Sequence, residues 1–331
     1  MAKKRKADGK RGITTWPLYI VLVAVFILYI LFQGRPSLAI IFGVSAFVLI
    51  IALIGLEVMN GSRESGKLRN ALEIVVAVVA VLIFWFALRA LLHTNYPIDA
   101  VPSCSMLPVL QRGDLIVLHG ANSSRIEAPQ VQVTPNQMQS MLNNIGSESL
   151  ECVAYQVNGR TANISQIMLP GYTLGLFKSE ANGGGELVQN SSQDSNLVRY
   201  TCGVTDVKYS NGTVEQEAYT KSITIGNTTI TGDRNNSIIV YQTIPMDYFY
   251  QLGDSYIVHR VYAIINASGT YYYLTKGDNN PGLDMQYNNY PINETYVEGK
   301  VIGTIPLLGY LKLILSGTLS QPAGCNSTLQ D

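Results

Sequence analysis

The chain has 331 residues and sets 23 basic side chains against 23 acidic ones, for a formal net charge of zero. That length holds a membrane anchor plus one or two domains of ordinary size. The neutral balance removes the electrostatic case for nucleic acid as a partner.

The charges are unevenly placed. Lys3, Lys4, Arg5, Lys6, Lys10 and Arg11 stand against the single acid Asp8 before residue 12. A short basic tail ahead of a hydrophobic span is an orientation signal before it is a binding patch. Three apolar stretches follow, Trp16 to Phe32, Ser37 to Met59 and Ala71 to Leu92. Each comes close to or exceeds the roughly 20 residues a helix needs to cross the hydrocarbon core. No small-residue cleavage site follows the first, so it does not read as a removable signal peptide. The loop between the second and third stretches carries Arg63, Lys67 and Arg69 against Glu64. Basic residues thus gather at the N-terminus and in the second loop, which puts both in the cytoplasm and sends the third helix outward. Arg89, near the outer end of that helix, is expected to snorkel to the interface.

Composition changes after Leu92. The remainder is rich in Asn, Tyr, Thr, Ser and Gly, with short β-branched or aromatic runs such as SIIVYQTI, SYIVHRVYAII and TYYYLT. Runs of this kind bounded by turn residues predict a mostly β exported portion. Nine N-x-Ser/Thr triplets begin there, at Asn122, Asn163, Asn190, Asn211, Asn227, Asn235, Asn266, Asn293 and Asn326, as a glycosylated outer surface requires. Cys104, Cys152, Cys202 and Cys325 also lie in this portion. Four cysteines allow three pairings, and the sequence does not choose among them. Cys152 with Cys202 is preferred, because both fall in one polar segment and flank strand-like runs. No CxxC spacing or histidine cluster supports a metal site.

Three segments carry chemistry. In VPSCSMLPVLQRGDLIVL, Ser103 and Ser105 bracket Cys104 on a turn held by Pro102 and Pro108, and Gly113-Asp114 leads into a strand. A serine needs a base to act as a nucleophile. Of the three histidines, His93, His119 and His259, the last sits in SYIVHRVYAII on the strand face shared by Ile257 and Val261. The segment YYLTKGDNNPGLD then places Asp278 and Asp284 on a turn directly after a strand. A carboxylate there can fix an imidazole tautomer and stabilise the imidazolium; the spacing does not fit an EF-hand.

In combination these segments are far more specific than any alone. The order Ser-x-Ser-Met-x-Pro, Gly-Asp plus strand, Ile-Val-His-Arg-Val, then Thr-Lys-Gly-Asp-Asn-Asn with an Asp shortly after resembles the signal peptidase I family. Histidine in place of the bacterial lysine is similar to the archaeal and endoplasmic-reticulum branch. The resemblance covers Val101 to about Gln130 and about Asn236 to Gly309, roughly half of the chain. It implies Ser105 as nucleophile, His259 as general base, Asp284 as third member, Asp278 as accessory acid, and the Ser103 hydroxyl as a helper of the Ser105 backbone N–H at the oxyanion. It implies acyl-enzyme chemistry without metal or cofactor. Implied partners are signal-peptide-bearing preproteins cleaved after small residues, the lipid bilayer and the protein-export machinery.

The expected fold is a mainly β catalytic domain of signal peptidase type with an inserted β-rich domain, anchored by N-terminal transmembrane helices. Its expected parts are a basic cytoplasmic tail at 1–15, a three-helix anchor at 16–93, the catalytic domain at 94–127 and 236–320, the insert at 128–235 and a C-terminal tail at 321–331. The insert departs from the family pattern, as do Cys104 in place of the bacterial glycine and a third helix. Three alternatives stay open: Lys276 as the base, a surface recognition or scaffold module that keeps the peptidase fold without activity, and a calcium-dependent adhesin, for which a repeated ligand pattern is lacking. VIGTIPLLGYLKLIL near the C-terminus is too short to span and is expected as a core strand or a lipid-resting surface.

Overall fold

The structure is a computed structural model; it describes residues 15–32, 35–62, 67–145, 187–188, 197–318, 320, 322 and 324–330. The basic tail ahead of residue 15, Cys152, and the triplets at Asn163 and Asn190 lie outside the described residues.

Three helices come first, α1 (Trp16–Leu31), α2 (Pro36–Ser62) and α3 (Lys67–Leu92). Proline falls in the first turn of α1, where a missing N–H costs nothing. Apolar side chains point outward from all three, among them Val21, Phe26, Ile54, Val78 and Ile83. Among the described residues, no helix is long and apolar enough to cross a membrane. α1, with 16 residues, extends about 24 Å at ~1.5 Å per residue.

Beyond them the described chain is mainly antiparallel β-sheet. Its first part comprises β1 (Ile98–Ala100), β2 (Leu115–His119), β3 (Gln130–Val133) and α4 (Pro135–Asn144). A second part comprises β4 (Leu187–Val188), β5 (Val198–Tyr209), β6 (Val214–Ile225) and β7 (Thr228–Thr231). Then follow β8 (Ile238–Gln242), α5 (Tyr248–Gln251), β9 (Tyr256–Ala267), β10 (Thr270–Lys276), β11 (Ile292–Asn293), β12 (Val297–Ile305), α6 (Tyr310–Leu315) and β13 (Ser327–Gln330). An eight-stranded sheet runs β1-β2-β12-β8-β9-β10-β11, with β3 added parallel to β9. A five-stranded sheet runs β13-β5-β6-β7, with β4 on β5.

The expected domain limits do not follow these pairings. Gln130–Val133 falls within the span read as an insert, yet it hydrogen-bonds to the His259 strand. α4 is held by a capping box in which Thr134 and Gln137 exchange hydrogen bonds, and it buries Met138 and Met141. Those methionines share one core with Val131 of the first sheet, with Tyr200, Ile223 and Ile230 of the second, and with Ile265 and Leu274 of the first. Among the described residues, the second sheet therefore shares this core with the back of the first. The tail read at 321–331 supplies β13 to the second sheet. Local composition cannot reveal either join, because a short extended segment shows its partner only when the partner's edge is in place.

The C-terminal apolar run divides. VIGTI closes β12, and Pro306 to Gly309 turn the chain into α6, whose Leu313 is buried. Gly113 in the first-sheet turn has φ of 88°, and a Cβ there would sit 2.0 Å from the Tyr310 ring. The turn is thus closed by α6 and open only to glycine.

Ile265 is fully buried in the shared core. Ile265→Ala is expected to cost about 2–5 kcal/mol in chemical denaturation, and both sheets should melt in one transition. A separate, unshifted transition for the second sheet contradicts a shared core.

Candidate active site

β9 delivers the imidazole. Successive side chains on a strand face opposite sides, so His259 points to the face lined by Ile239, Tyr241 and Val261, while Arg260 points to the other. His259 is 3% exposed and Asp284 is 2% exposed. His259 Nδ1 lies 2.7 Å from Asp284 Oδ2, and His259 Nε2 lies 3.0 Å from Ser105 Oγ. The structure thus brings Ser105, His259 and Asp284 into one hydrogen-bonded chain.

The same hydrogen bonds determine the tautomer. A carboxylate only accepts, so His259 Nδ1 carries the proton donated to Asp284, and Nε2 is left as an acceptor. The one hydroxyl proton of Ser105 then goes to Nε2. Ser103 Oγ, 3.1 Å from Ser105 Oγ, is consequently the donor in that pair. The ring of Phe249 meets the imidazole edge-on at 5.9 Å and closes its other side.

Asp284 heads a short 3-10 turn, Asp284–Tyr287. Its Oδ2 also accepts from Thr275 Oγ1 at 2.6 Å and from Tyr241 OH at 2.9 Å. Three donors therefore converge on one oxygen, while Oδ1 is buried with no hydrogen-bond partner. Leaving an acceptor of this kind unpaired costs about 1–3 kcal/mol. The phenol of Tyr241 is pushed well above the ordinary tyrosine value, first by burial and next by the charge of Asp284. It stays a donor over the whole neutral range.

Ser105 arrives from a turn whose residues alternate. Cys104, Met106 and Leu110 are buried, while Ser103 and Ser105 are half-buried and reachable. Asp114 organises the base of the turn: its carboxylate accepts from Gln111 N at 2.8 Å and from Leu307 N at 3.0 Å. The loop after β10 holds the tip. Asn279 N donates to Ser105 O at 2.7 Å, and Asn279 Nδ2 donates to Cys104 O at 3.2 Å and Ser327 O at 3.0 Å. Leu329 N returns a bond to Asn279 Oδ1 at 2.8 Å. Gly277 is required for this approach, since a Cβ there would lie 2.7 Å from Ser105 O.

A disulfide joins Cys104 to Cys325. It ties the serine turn to the segment leading into β13, and among the four cysteines it leaves Cys152 and Cys202, the pair preferred from sequence, as the remaining two. Cys152 is outside the described residues.

The structure does not bring Asp278 to the other site residues. Its carboxylate takes both forks of Arg260, at 2.7 Å each, and Arg260 Nη1 donates to the carbonyls of Arg234 and Asn236. This buried pair pins the loop that carries Asn279. Lys276 directly follows Thr275 in β10 and so faces the opposite side, where it lines a cavity of about 420 Å³ with Arg260, Asp278 and Tyr262. It is not placed to reach Ser105. Tyr241, Thr275 and Asn279 are the contributors that sequence reasoning did not single out. The signal for Thr275 was alternation in LTKGD, which puts it opposite Lys276; for Tyr241 and Asn279 it was only membership of the motif-bearing runs.

Among the described residues, no group of three or more His, Cys, Asp or Glu side chains could hold a metal ion. Chemically, the arrangement can lower the cost of removing a proton from Ser105 and of holding the resulting imidazolium. No protein-family model matches the chain, and neither a curated protein nor a solved structure does.

The raised Tyr241 value has a sign. The unfolded chain releases this proton near pH ~10 and the folded chain does not, so the contribution is fully present below about pH 10 and is lost as pH climbs toward the folded-state value. Tyr241→Phe is expected to cost about 1.5–3 kcal/mol at neutral pH. Its stability should then fall less steeply than the parent's between pH ~10 and ~11.5 in urea unfolding. Parallel alkaline limbs in the two proteins would contradict the assignment.

Proposed function

We propose that the chain is a membrane-anchored serine endopeptidase of the signal peptidase I type, removing N-terminal signal peptides from exported proteins after small residues. The observation that carries this reading is the hydrogen-bonded chain from Ser105 Oγ through His259 to Asp284. His259 Nε2 takes the proton as Ser105 Oγ attacks the scissile carbonyl, and returns it to the leaving amine. Water, deprotonated by the same nitrogen, then releases the acyl group from Ser105. The Asp284 charge stabilises the imidazolium in both halves. Ser103, donating to Ser105 Oγ in the resting site, turns to the developing oxyanion together with the Ser105 backbone N–H.

The anchor belongs to the same proposal. Three apolar stretches in the sequence and the outward apolar side chains of α1 to α3 are a surface that water disfavours and lipid accepts. With the basic tail inside, the sheets and the site stand on the outer face, where the cleavage sites of membrane-inserted signal peptides emerge. This topology places Asn60-Gly61-Ser62, a tenth N-x-Ser/Thr triplet at the end of α2, on the inner side.

In detergent-solubilised protein incubated with a signal-peptide-bearing precursor, Ser105→Ala and His259→Ala are each expected to slow cleavage by at least about 10³-fold. Asp284→Ala should also slow it strongly while leaving the protein folded by circular dichroism. Cleavage unchanged in Ser105→Ala, or absent in the parent under several lipid conditions, leaves the scaffold reading in its place. Expression in a glycosylating host followed by peptide mass spectrometry tests the topology. Occupancy is expected at the exposed Asn211, Asn227 and Asn326, and none at Asn60 or at the buried Asn266. A glycan on Asn60 reverses the orientation.

A further inference from the structure

Away from the serine, a polar cavity of about 770 Å³ opens where the outer end of α3 meets the first sheet. Arg89 reaches it from the helix, His93 from the turn directly after the helix, Asn122 and Arg125 from the loop after β2, and Glu298 is the single acid among its lining residues. The His93 ring stacks on that of His119, centroids 5.5 Å apart. His119 Nδ1 lies 2.7 Å from Gly120 O, and Arg125 Nη1 lies 3.1 Å from His119 Nδ1 and 3.3 Å from Nε2. Arg125 is thereby held at the rim by the imidazole ring rather than by a carboxylate.

The backbone around the cavity is built to a close tolerance. Gly120 N donates to Leu92 O at 2.7 Å, and a Cβ on Gly120 would lie 1.9 Å from His93 O. His93 itself has φ of 52°, a left-handed conformation that non-glycine residues adopt rarely. Below the cationic rim the helix turns apolar at once: Leu82 and Phe86 are exposed, and the Arg89 guanidinium sits 5.8 Å over the Phe86 ring.

We propose that this cavity binds the phosphate group of an anionic membrane phospholipid, with the acyl chains lying along the exposed apolar side of α3. The inference rests on the reading that α1 to α3 sit in a bilayer. Two guanidinium groups offer forked donors that match phosphate oxygens. Cationic side chains directly above apolar helix surface match the division of a lipid into headgroup and tail. None of these residues belongs to the Ser105 hydrogen-bond chain.

The test uses the full chain, delipidated in detergent, with native mass spectrometry as readout. The probes are phosphatidylglycerol, a galactosyl diacylglycerol without phosphate, and inorganic phosphate. Phosphatidylglycerol should bind saturably with one lipid per chain, and about ten-fold more weakly to Arg89→Gln/Arg125→Gln. The galactolipid should bind equally weakly to both proteins, and millimolar phosphate should displace the phosphatidylglycerol. Arg125→Gln alone, a rim substitution, gives the same direction of effect if the double variant does not fold. Equal phosphatidylglycerol affinity in parent and variant overturns the proposal, as does phosphate binding without lipid binding, which marks a soluble-anion site. Flotation with phosphatidylcholine vesicles separates the two readings. Failure of the parent to float removes the bilayer premise, whereas flotation without phosphatidylglycerol selectivity removes only the lipid site.

Discussion

The bond between the buried carboxylate of Asp284 and His259 Nδ1 is the constraint on which the site depends. An imidazole left free on an apolar sheet face could present either nitrogen, and a serine beside the wrong one would have no base. Asp284 removes that freedom by accepting at one nitrogen only. Its own orientation is held by Tyr241 and Thr275, both buried and both donating to the same oxygen. The unpaired Oδ1 is a cost carried by the surrounding fold.

A strand buried on both faces makes this economical. His259 and Arg260 are neighbours in β9 and serve opposite sides of one sheet. On one side the imidazole meets Asp284 and Ser105; on the other Arg260 grips Asp278 and two carbonyls. The grip makes no hydrogen bond to the serine, yet the loop it steadies places Asn279 against the Ser105 carbonyl. Asp278 is therefore a positioning residue, acting through the loop backbone. The disulfide and β13 reach the same turn, so the Ser105 turn is braced from three directions.

The second sheet is part of this bracing rather than a separate appendage. Its inner side chains and those of α4 fill one core with the back of the first sheet, and β13 crosses from the serine turn into it. Removing that sheet would expose the rear of the strands that carry His259 and Thr275. α4 and β5 to β7 thus have a physical task in the fold around the site.

Sequence alone determined the period and the order: apolar stretches before a β-rich region, alternating runs that put His259 with Ile257 and Val261, and turns at Gly113 and after the TYYYLT run. These are local consequences of side-chain alternation and of glycine's freedom, so they are legible without a partner. Tertiary structure decided which distant groups meet: Tyr241 and Thr275 on Asp284, Asn279 on the serine turn, Cys104 with Cys325, and β3 and β13 in sheets that their neighbours in sequence do not announce. A strand edge, a buried acceptor and a disulfide each take their partner from proximity in space, and proximity across 221 residues of chain is written in no local pattern.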